Sequence, residues 1–397
     1  KKRRNGVDGE TTMTARTLSM AAVLATGAMT AQAEVEVGMI VTLSGPPAAL
    51  GQQVVDGFQL ALDELGGTLG GEPATLIVED DELKPDVALS RANALVEGEE
   101  VDFVVGTIFS NMLQAVFRPI TESETFLISP NAGPSTFAGR NCNPFFFVTS
   151  YQNNQNAEVS GAYAQEAGFE RVFLIAPNYQ AGRDNIEGFR MHYEGEIANE
   201  VYVPLDHQDF SAEIARIATS DADAVFAFMP GGIGVRFVRQ FDDAGLSDRM
   251  QFLSVFTTDE TTLPAQQDAA EGFLAAGNWA PDMANAASEA FVATFEETYG
   301  YVPGGYAMQA YDTAMLLDSA VAAVGGDLSD KDAVREALRA AEFDSLRGDF
   351  AFNTNHYPVQ DFYQLAVVQR QDGAWVTSVG DLVFADYADS FAQDCRM

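Results

Sequence analysis

Short apolar runs alternate with helical patterns along most of the chain, and this alternation constrains the fold more than any other feature. The run at 101–105 is rich in β-branched residues, which predicts a strand buried on both faces of a parallel sheet. Gly106 and Thr107 end the run, and Ser110-Asn111 then offers a cap for a helix over roughly 112–122. Repetition of this unit from residue 34 onward predicts an α/β fold with a doubly wound parallel sheet.

The turn after this strand is a candidate anion site. In open α/β sheets, ligands lie beyond the carboxyl ends of the strands. A helix N-terminus at that place presents free N–H groups and the positive end of a dipole. Ser110 adds a hydroxyl donor. We therefore expect the turn to receive the carboxylate of a small molecule. The alternative is that Ser110 only caps the helix.

The alternation restarts after a polar cluster at residues 151–155, which indicates a second lobe. A strand over 171–176 is followed by a predicted helix over 185–197 and a strand over 200–203. Two doubly wound α/β lobes predict a ligand cleft between them. The expected division is lobe 1, residues 34–151 plus 278–358, and lobe 2, residues 152–277 plus 359–397.

Residues 1–33 are predicted to be an upstream segment and a secretory signal peptide. Arg16 precedes an apolar stretch that ends in the A-x-A pattern of residues 31–33, so the mature chain is expected to begin at Glu34. A membrane anchor is the alternative, although the stretch is short and is broken by Thr and Gly. The protein is accordingly expected to be exported to the periplasm and not to insert into a membrane after cleavage.

The formal net charge of −36 bears on possible partners. Such a charge repels nucleic acid and resists precipitation. Adaptation to a salty habitat explains it more simply than an acidic binding role does. The charge does not forbid an anionic ligand, because local N–H groups dominate inside a cleft.

The chain has two cysteines, Cys142 and Cys395. Because disulfides persist in the compartments that exported proteins reach, a bond between them is predicted to tie down the C-terminal tail. The alternative is two unrelated free thiols.

Enzyme and metal sites have little support in the sequence. His192, His207 and His356 do not adjoin Ser or Cys in a recognisable motif, and no GxSxG occurs. Each histidine is predicted to lie at the surface. The glycines of 231–234 lack the Lys-Ser/Thr of a P-loop and predict a helix-start turn. We therefore expect no enzymatic activity, no metal and no cofactor.

Three segments together resemble a known family. Residues 41–51 (VTLSGPPAALG), 104–110 (VVGTIFS) and 127–135 (LISPNAGPS) fall in the order and spacing of type I periplasmic binding proteins, in particular the leucine/isoleucine/valine-binding family of ABC importers. The resemblance covers nearly all of residues 34–397. It implies a bilobed receptor, a monomer by default, that closes around one solute and delivers it to an inner-membrane permease.

The resemblance also implies where a ligand carboxylate binds. The family's carboxylate site falls on Ser110 and on the turn formed by Asn131, Ala132 and Gly133. Positions of the apolar wall and of an aromatic lid follow from the same comparison. They are Leu50, Ile108 and Phe109 for the wall and Tyr306 for the lid.

The acidic positions that bind the ligand ammonium in the family's amino-acid binders are not acidic in this chain. Phe256 stands at the acidic position after the strand over 251–255, and Gln152 stands at a second acidic position. Ala181 and Pro230 replace two tyrosines of the second lobe. Without an acid, a buried ammonium loses its partner, which costs roughly 3–5 kcal/mol and weakens binding by about two to four decades.

The resemblance therefore implies a carboxylate ligand with an apolar or aromatic body and no amine, such as a benzoate, a phenylacetate or a hydroxycinnamate. The segment 178–184 (NYQAGRD) resembles the aromatic-acid branch of the family. Tyr179, Arg183 and Gln152 are candidates for contact with a ring substituent. Two alternatives stay open: an amino-acid or amide binder with rearranged contacts, and a ligand sensor for a receptor kinase or chemoreceptor.

Overall fold

The computed structural model describes residues 34–397, so the predicted signal peptide lies outside the described residues. The described part of the chain forms two α/β lobes, each built on a mainly parallel sheet. The predicted fold class is confirmed. No helix within residues 34–397 is long and apolar enough to cross a bilayer.

The first lobe carries a six-stranded sheet with the order β2-β3-β1-β4-β5-β6. Its elements are β1 (Val35–Val41), α1 (Ala48–Glu64), β2 (Thr68–Leu69), β3 (Glu72–Asp80), α2 (Pro85–Asn93), β4 (Phe103–Gly106), α3 (Ser110–Glu122), β5 (Phe126–Ser129), α4 (Ser135–Ala138) and β6 (Phe146–Val148). Every residue of β4, β5 and β6 is buried, as the apolar runs predict. The winding of the sheet reverses between β1 and β4, which is where such sheets open a ligand crevice.

The second lobe repeats this arrangement. Its elements are α5 (Gln155–Glu166), β7 (Arg171–Pro177), α6 (Gln180–Met191), β8 (Glu196–Val203), α7 (Ser211–Ala218), β9 (Ala224–Phe228), α8 (Gly232–Asp243), β10 (Gln251–Val255), α9 (Leu263–Gln266) and β11 (Leu274–Gly277). Strands β8, β7, β9, β10 and β11 lie side by side in that order, all parallel. The winding reverses between β7 and β9, so this lobe also has a crevice at the carboxyl ends of its strands.

The chain then returns to the first lobe and ends in the second. The remaining elements are α10 (Ala286–Tyr299), α11 (Gly305–Ala323), α12 (Lys331–Ala340), β12 (Ala351–Phe352), β13 (Pro358–Gln369) and β14 (Trp375–Tyr387). Helix α11 packs along α1, whereas β13 joins the second sheet antiparallel to β11 and pairs with both β12 and β14. Strand β12 lies inside the range expected for lobe 1 but pairs with the second sheet. The exact lobe boundaries stay a prediction.

Close packing of α11 on α1 brings the first turn of α11 toward the cleft. A Cβ atom at Gly57 would lie 2.1 Å from the carbonyl oxygen of Ala307, so a glycine is required there. Tyr306, the second residue of α11, is buried as a result.

Three segments, here called the crossing segments, pass between the lobes in the described chain, and they contain Ser150, Asn278 and Gln360. Buried hydrogen bonds join them around the carbonyl oxygen of Ser150. Asn278 Nδ2 and Gln360 Nε2 donate to that oxygen at 3.1 and 2.6 Å. Arg347 Nη1 donates to it at 3.2 Å and to Gln360 Oε1 at 2.7 Å. The Arg347 guanidinium also pairs with the Asp312 carboxylate, 3.0 Å from Nη2, and both side chains are buried. This network holds the crossing segments together.

The predicted disulfide is present. Cys142 and Cys395 are bonded, with Cα atoms 5.6 Å apart, so the tail after β14 is held against the segment between α4 and β6. The alternative of two free thiols does not describe this structure.

Two helix starts differ from the prediction. Helix α3 begins at Ser110 rather than at residue 112, and Phe109 occupies the N-cap position, so Ser110 is not the cap. Helix α6 begins at Gln180 rather than at residue 185, and residues 196–197 belong to β8 instead of this helix. Pairing of Glu196 with Arg171 of β7 overrides the helical pattern there.

Two further differences concern burial and the C-terminal region. The prediction of a surface position is wrong for His356, whose ring stacks on Phe147 at 3.9 Å and whose Nδ1 lies 3.1 Å from the carbonyl oxygen of Phe146. Burial lowers the pKa of His356 to about 4. Strand β14 was not predicted, because only two of its thirteen residues are buried and Gly380 and Asp381 interrupt its apolar residues.

We predict that the protein contains no reactive thiol before reduction. Thiol titration of the unfolded, unreduced mature protein should find none, and titration after reduction should find two, because both cysteines are in the disulfide. Two reactive thiols without reduction would contradict the structure.

We predict that Asp312→Ala lowers the free energy of unfolding by about 3–5 kcal/mol, because it leaves the buried Arg347 guanidinium without its carboxylate. Urea denaturation of the mature chain measures the change. Glu122→Ala is the control, since it breaks an ion pair with Arg118 that is largely exposed and should change little. Equal effects of the two substitutions would show that the buried pair does not stabilise the crossing segments.

Candidate ligand site

A small cavity with about 20 Å³ of free space lies between the lobes, beyond the carboxyl ends of the strands at both reversal points. That is room for about one water molecule, so a larger ligand needs the lining side chains to move apart. The lining residues follow β4, β5, β7, β9 and β10 or lie on the crossing segment and on α6 and α11. They are Ile108, Phe109, Ser110, Asn131, Ala132, Tyr151, Asn153, Tyr179, Ala181, Asn185, Phe228, Pro230, Phe256 and Tyr306.

The turn after β4 presents hydrogen-bond donors to this region. Among the described residues, no acceptor is found for the backbone N–H groups of Ser110 and Asn111, which form the first turn of α3. Ser110 Oγ accepts a hydrogen bond from Asn153 Nδ2 at 3.1 Å, which leaves its own proton for another acceptor. This turn can therefore bind an anion through backbone and hydroxyl donors.

The turn after β5 is already engaged by the protein. The N–H of Ala132 donates to Thr107 O at 3.2 Å, and the N–H of Gly133 donates to Asn153 Oδ1 at 3.0 Å. Asn131 Nδ2 donates to Ile108 O at 2.7 Å. The backbone here is so close to the crossing segment that a Cβ on Gly133 would lie 1.8 Å from Tyr151 O. The turn thus supports the Ser110 turn rather than offering free amides of Ala132 and Gly133.

Six aromatic rings surround the cavity in two groups. Phe256 lies between Tyr151 and Tyr306, with centroids 5.4 Å from each. Tyr179 lies between Phe109 and Phe228, at 6.1 and 6.2 Å. These separations are typical of favourable aromatic pairs. A planar apolar ligand would therefore meet ring surfaces contributed by both lobes.

The cavity also contains two tyrosine hydroxyls with unused hydrogen-bonding capacity. Tyr179 and Tyr306 make no side-chain hydrogen bond with any described residue, whereas Tyr151 donates to Asn131 Oδ1 at 2.7 Å. Burial raises the pKa of Tyr179 and of Tyr306 well above the usual value, so both remain protonated donors at neutral pH.

None of the described residues that line the cavity carries a formal charge. Two buried acids lie behind the lining. Asp184 accepts four hydrogen bonds from the protein, two of them from Ser135. Asp259 accepts from the N–H of Thr261 at 2.8 Å, while its Oδ2 has no partner among the described residues. Burial raises the pKa of Asp259 to about 6.

The structure brings together ten of the fourteen residues predicted from the sequence: Ile108, Phe109, Ser110, Asn131, Ala132, Tyr179, Ala181, Pro230, Phe256 and Tyr306. The other four lie outside the lining. Leu50 is fully buried in the core, and Gly133 contacts the crossing segment. Gln152 donates to Asn154 Oδ1 at 2.9 Å, and Arg183 is exposed and donates to Asn178 at 3.1 Å.

Sequence reasoning missed four lining residues, Tyr151, Asn153, Asn185 and Phe228. Tyr151 and Asn153 belong to the polar cluster that was assigned only to the lobe crossing. Phe228 ends a predicted strand, where ligands of such sheets lie. Asn185 was taken as a helix start, which concealed its place one turn inside α6.

Comparison with known proteins identifies relatives of this chain. A family model described as periplasmic binding protein matches residues 34–374. A curated relative from Brucella melitensis, named Leu/Ile/Val-binding protein homolog 6, is 27% identical over 372 residues, which are 90% of this chain and 94% of the relative.

Two solved structures of ABC-transporter solute-binding proteins share the fold. One from R. palustris, in complex with benzoate, is 30% identical with a TM-score of 0.86 and covers 92% of this chain and 100% of that one. One from Rhodopseudomonas palustris BisB5, in complex with 3,4-dihydroxy benzoic acid, is 27% identical with a TM-score of 0.83 and covers 90% and 99%.

The two solved relatives are solute-binding proteins of ABC transporters and not enzymes, which agrees with the sequence-based expectation. The resemblance drawn from residues 41–51, 104–110 and 127–135 is confirmed over most of the chain's length. The chain belongs to the periplasmic binding protein family.

Proposed function

We propose that this protein is the periplasmic receptor of an ABC importer for a small carboxylate with an aromatic body, of the benzoate type. The observation that carries the proposal is the cavity lining, which combines six aromatic side chains with unused hydrogen-bond donors and has no charged residue among those described. An aromatic acid matches this lining at both ends, because its ring is apolar and its charge is a single carboxylate.

The carboxylate is assigned to the Ser110 turn. There the N-terminal N–H groups of α3 and the Ser110 hydroxyl are available as donors, and the helix dipole favours an anion. Hydrogen bonds to a charged group are stronger than neutral ones. These donors offset the cost of taking the carboxylate out of water.

The ring is assigned to the space between the two aromatic groups. Phe256 and Tyr179 belong to the second lobe, whereas Phe109 and Tyr306 reach the cavity from the first lobe and from α11. A ligand that touches both lobes stabilises the closed arrangement by the difference in its contacts between closed and open states. The free hydroxyls of Tyr179 and Tyr306 suit a hydroxyl or carbonyl substituent on the ring.

A branched-chain amino acid is the competing ligand, and the name of the Brucella relative favours it. Its ammonium would need an acid, and Asp259 Oδ2 is a buried carboxylate oxygen without a partner among the described residues. Asp259 does not line the cavity, since Phe256, Tyr151 and Tyr306 do so in its place. The solved relatives with bound benzoate and dihydroxybenzoate support the aromatic acid instead.

Location and partners follow from the family and are part of the proposal. The predicted signal peptide sends the mature chain to the periplasm, where it delivers its ligand to an inner-membrane permease as a monomer. The alternative is that the liganded protein acts as a sensor and binds a receptor kinase instead of a permease. Permease and ATPase genes beside this one would support import.

We predict that the mature chain, residues 34–397, binds benzoate or 4-hydroxybenzoate and not leucine. Isothermal titration calorimetry with each compound measures this directly. The physical reason is the uncharged lining, which leaves an ammonium without a partner and costs roughly two to four decades in affinity. Tight leucine binding without aromatic-acid binding would refute the proposal.

The variant Asp259→Asn separates the two ligands further. If an amino acid binds through Asp259, this substitution abolishes leucine binding. If an aromatic acid binds at the Ser110 turn, the substitution leaves benzoate affinity unweakened, because it removes a buried negative charge near the ligand.

We predict that Ser110→Ala weakens benzoate binding about 10- to 150-fold, because a hydrogen bond to a charged group contributes about 1.5–3 kcal/mol. Calorimetry measures the ratio of dissociation constants. Ser329→Ala, in an exposed turn before α12, is the matched control and should leave the affinity unchanged. A change below twofold for Ser110→Ala would remove the carboxylate from this turn.

A further inference from the structure

Asp184 is a buried carboxylate that joins the two lobes behind the ligand cavity. We propose that it is a positioning residue: it latches the second lobe onto the first and orients Ser110 through Asn153. This inference rests on the proposed function, because it assigns a purpose to the orientation of Ser110.

The hydrogen bonds of Asp184 come from both lobes. On α4 of the first lobe, Ser135 donates its N–H to Oδ2 at 3.2 Å and its hydroxyl to Oδ1 at 2.7 Å. Gln180 of α6 donates to Oδ1 at 2.8 Å, and Asn153 Nδ2 donates to Oδ2 at 2.8 Å. These four donors use the acceptor capacity of a carboxylate. Asp184 therefore has no lone pair left for a ligand, which agrees with its absence from the lining.

Asn153 connects Asp184 to the Ser110 turn. Its Nδ2 donates to both Asp184 and Ser110 Oγ, and its Oδ1 accepts the N–H of Gly133. All three contacts are buried. Because the amide is fixed in this orientation, Ser110 Oγ must accept from Asn153, and its proton is directed to another acceptor. The ligand carboxylate is the acceptor that the proposed function supplies.

The same contacts favour closure of the cleft. Ser135 lies on the first lobe and Asp184 on the second, so their two hydrogen bonds exist only when α4 and α6 are adjacent. Asp184 is 1% exposed in this arrangement, and a carboxylate is costly to bury unless it is fully hydrogen-bonded. Removing a donor or the charge therefore penalises the closed state and not the open one.

The test compares Asp184→Asn with the unsubstituted mature chain, using benzoate as the probe. The asparagine side chain has nearly the same shape, but its NH₂ faces donors instead of accepting from them. Benzoate affinity is expected to fall about tenfold or more. The decrease in radius of gyration that benzoate causes, measured by small-angle X-ray scattering, should also become smaller. Asp318→Asn, on α11 beside the Gly70 N–H, is the control and should change neither quantity.

A double-substitution cycle distinguishes positioning from a general structural role. If Asp184 acts through Ser110, the effect of Asp184→Asn on affinity shrinks severalfold in a Ser110→Ala background. Ser135→Ala, which keeps the carboxylate, is a milder second variant and should weaken binding severalfold even if Asp184→Asn does not fold.

Two results would overturn the inference: Asp184→Asn and Ser135→Ala both within twofold of the Asp318→Asn control, or effects of Asp184→Asn and Ser110→Ala that multiply independently. Failure of the proposed function is seen separately in the unsubstituted chain. If that chain binds leucine and not benzoate, leucine becomes the probe for the same variants. A tenfold loss of leucine affinity in Asp184→Asn that shrinks in the Ser110→Ala background then still supports the inference. Independent effects of the two substitutions overturn it.

Discussion

The structure depends on how the three crossing segments are held together. A cavity between two lobes has a defined shape only if the lobes are joined by segments with a fixed geometry. Here the carbonyl oxygen of Ser150 receives hydrogen bonds from Asn278, Gln360 and Arg347, and Arg347 is neutralised by Asp312. Each of these groups is buried, so breaking one contact leaves others without partners. Tyr151 and Asn153, one and three residues after Ser150, reach the cavity from this fixed point.

The electrostatics of the site are compatible with the proposed anionic ligand, although the chain is strongly acidic. The formal charge of −36 is distributed over the molecule, but no described lining residue is charged. Asp184, one of the two buried acids behind the lining, is fully hydrogen-bonded by the protein, so its charge is compensated locally. In a buried cavity, the N-terminal N–H groups of α3 and the Ser110 hydroxyl act at short range. The local hydrogen-bond donors, and not the net charge of the chain, therefore favour an anionic ligand in the proposed site.

The sequence predicted those parts of the fold that depend on local patterns. Runs such as 103–106 could be identified as buried strands because every residue in them is apolar or small. The order of strands and helices then placed Ser110, Tyr179 and Phe256 at the carboxyl ends of strands, where the structure has them. Strand β14 could not be predicted, because it pairs with β13 through its backbone and only two of its thirteen residues are buried.

Long-range contacts explain why the remaining site residues could not be predicted from the sequence. Asn153 is polar and follows a strand, but its importance arises from bonds to Ser110, Gly133 and Asp184, which are 20 to 43 residues away in the sequence. Arg183 was predicted as a ligand contact because the segment 178–184 resembles the aromatic-acid branch of the family. Its position on α6 points it away from the cavity lining and to Asn178.

A crystal structure of the mature chain with benzoate tests the central claim most directly. The account predicts the carboxylate within hydrogen-bonding distance of Ser110 Oγ and the ring between Phe256 and Tyr179. A zwitterion retained in the cavity with its ammonium toward Asp259, or a carboxylate bound away from Ser110, would contradict it.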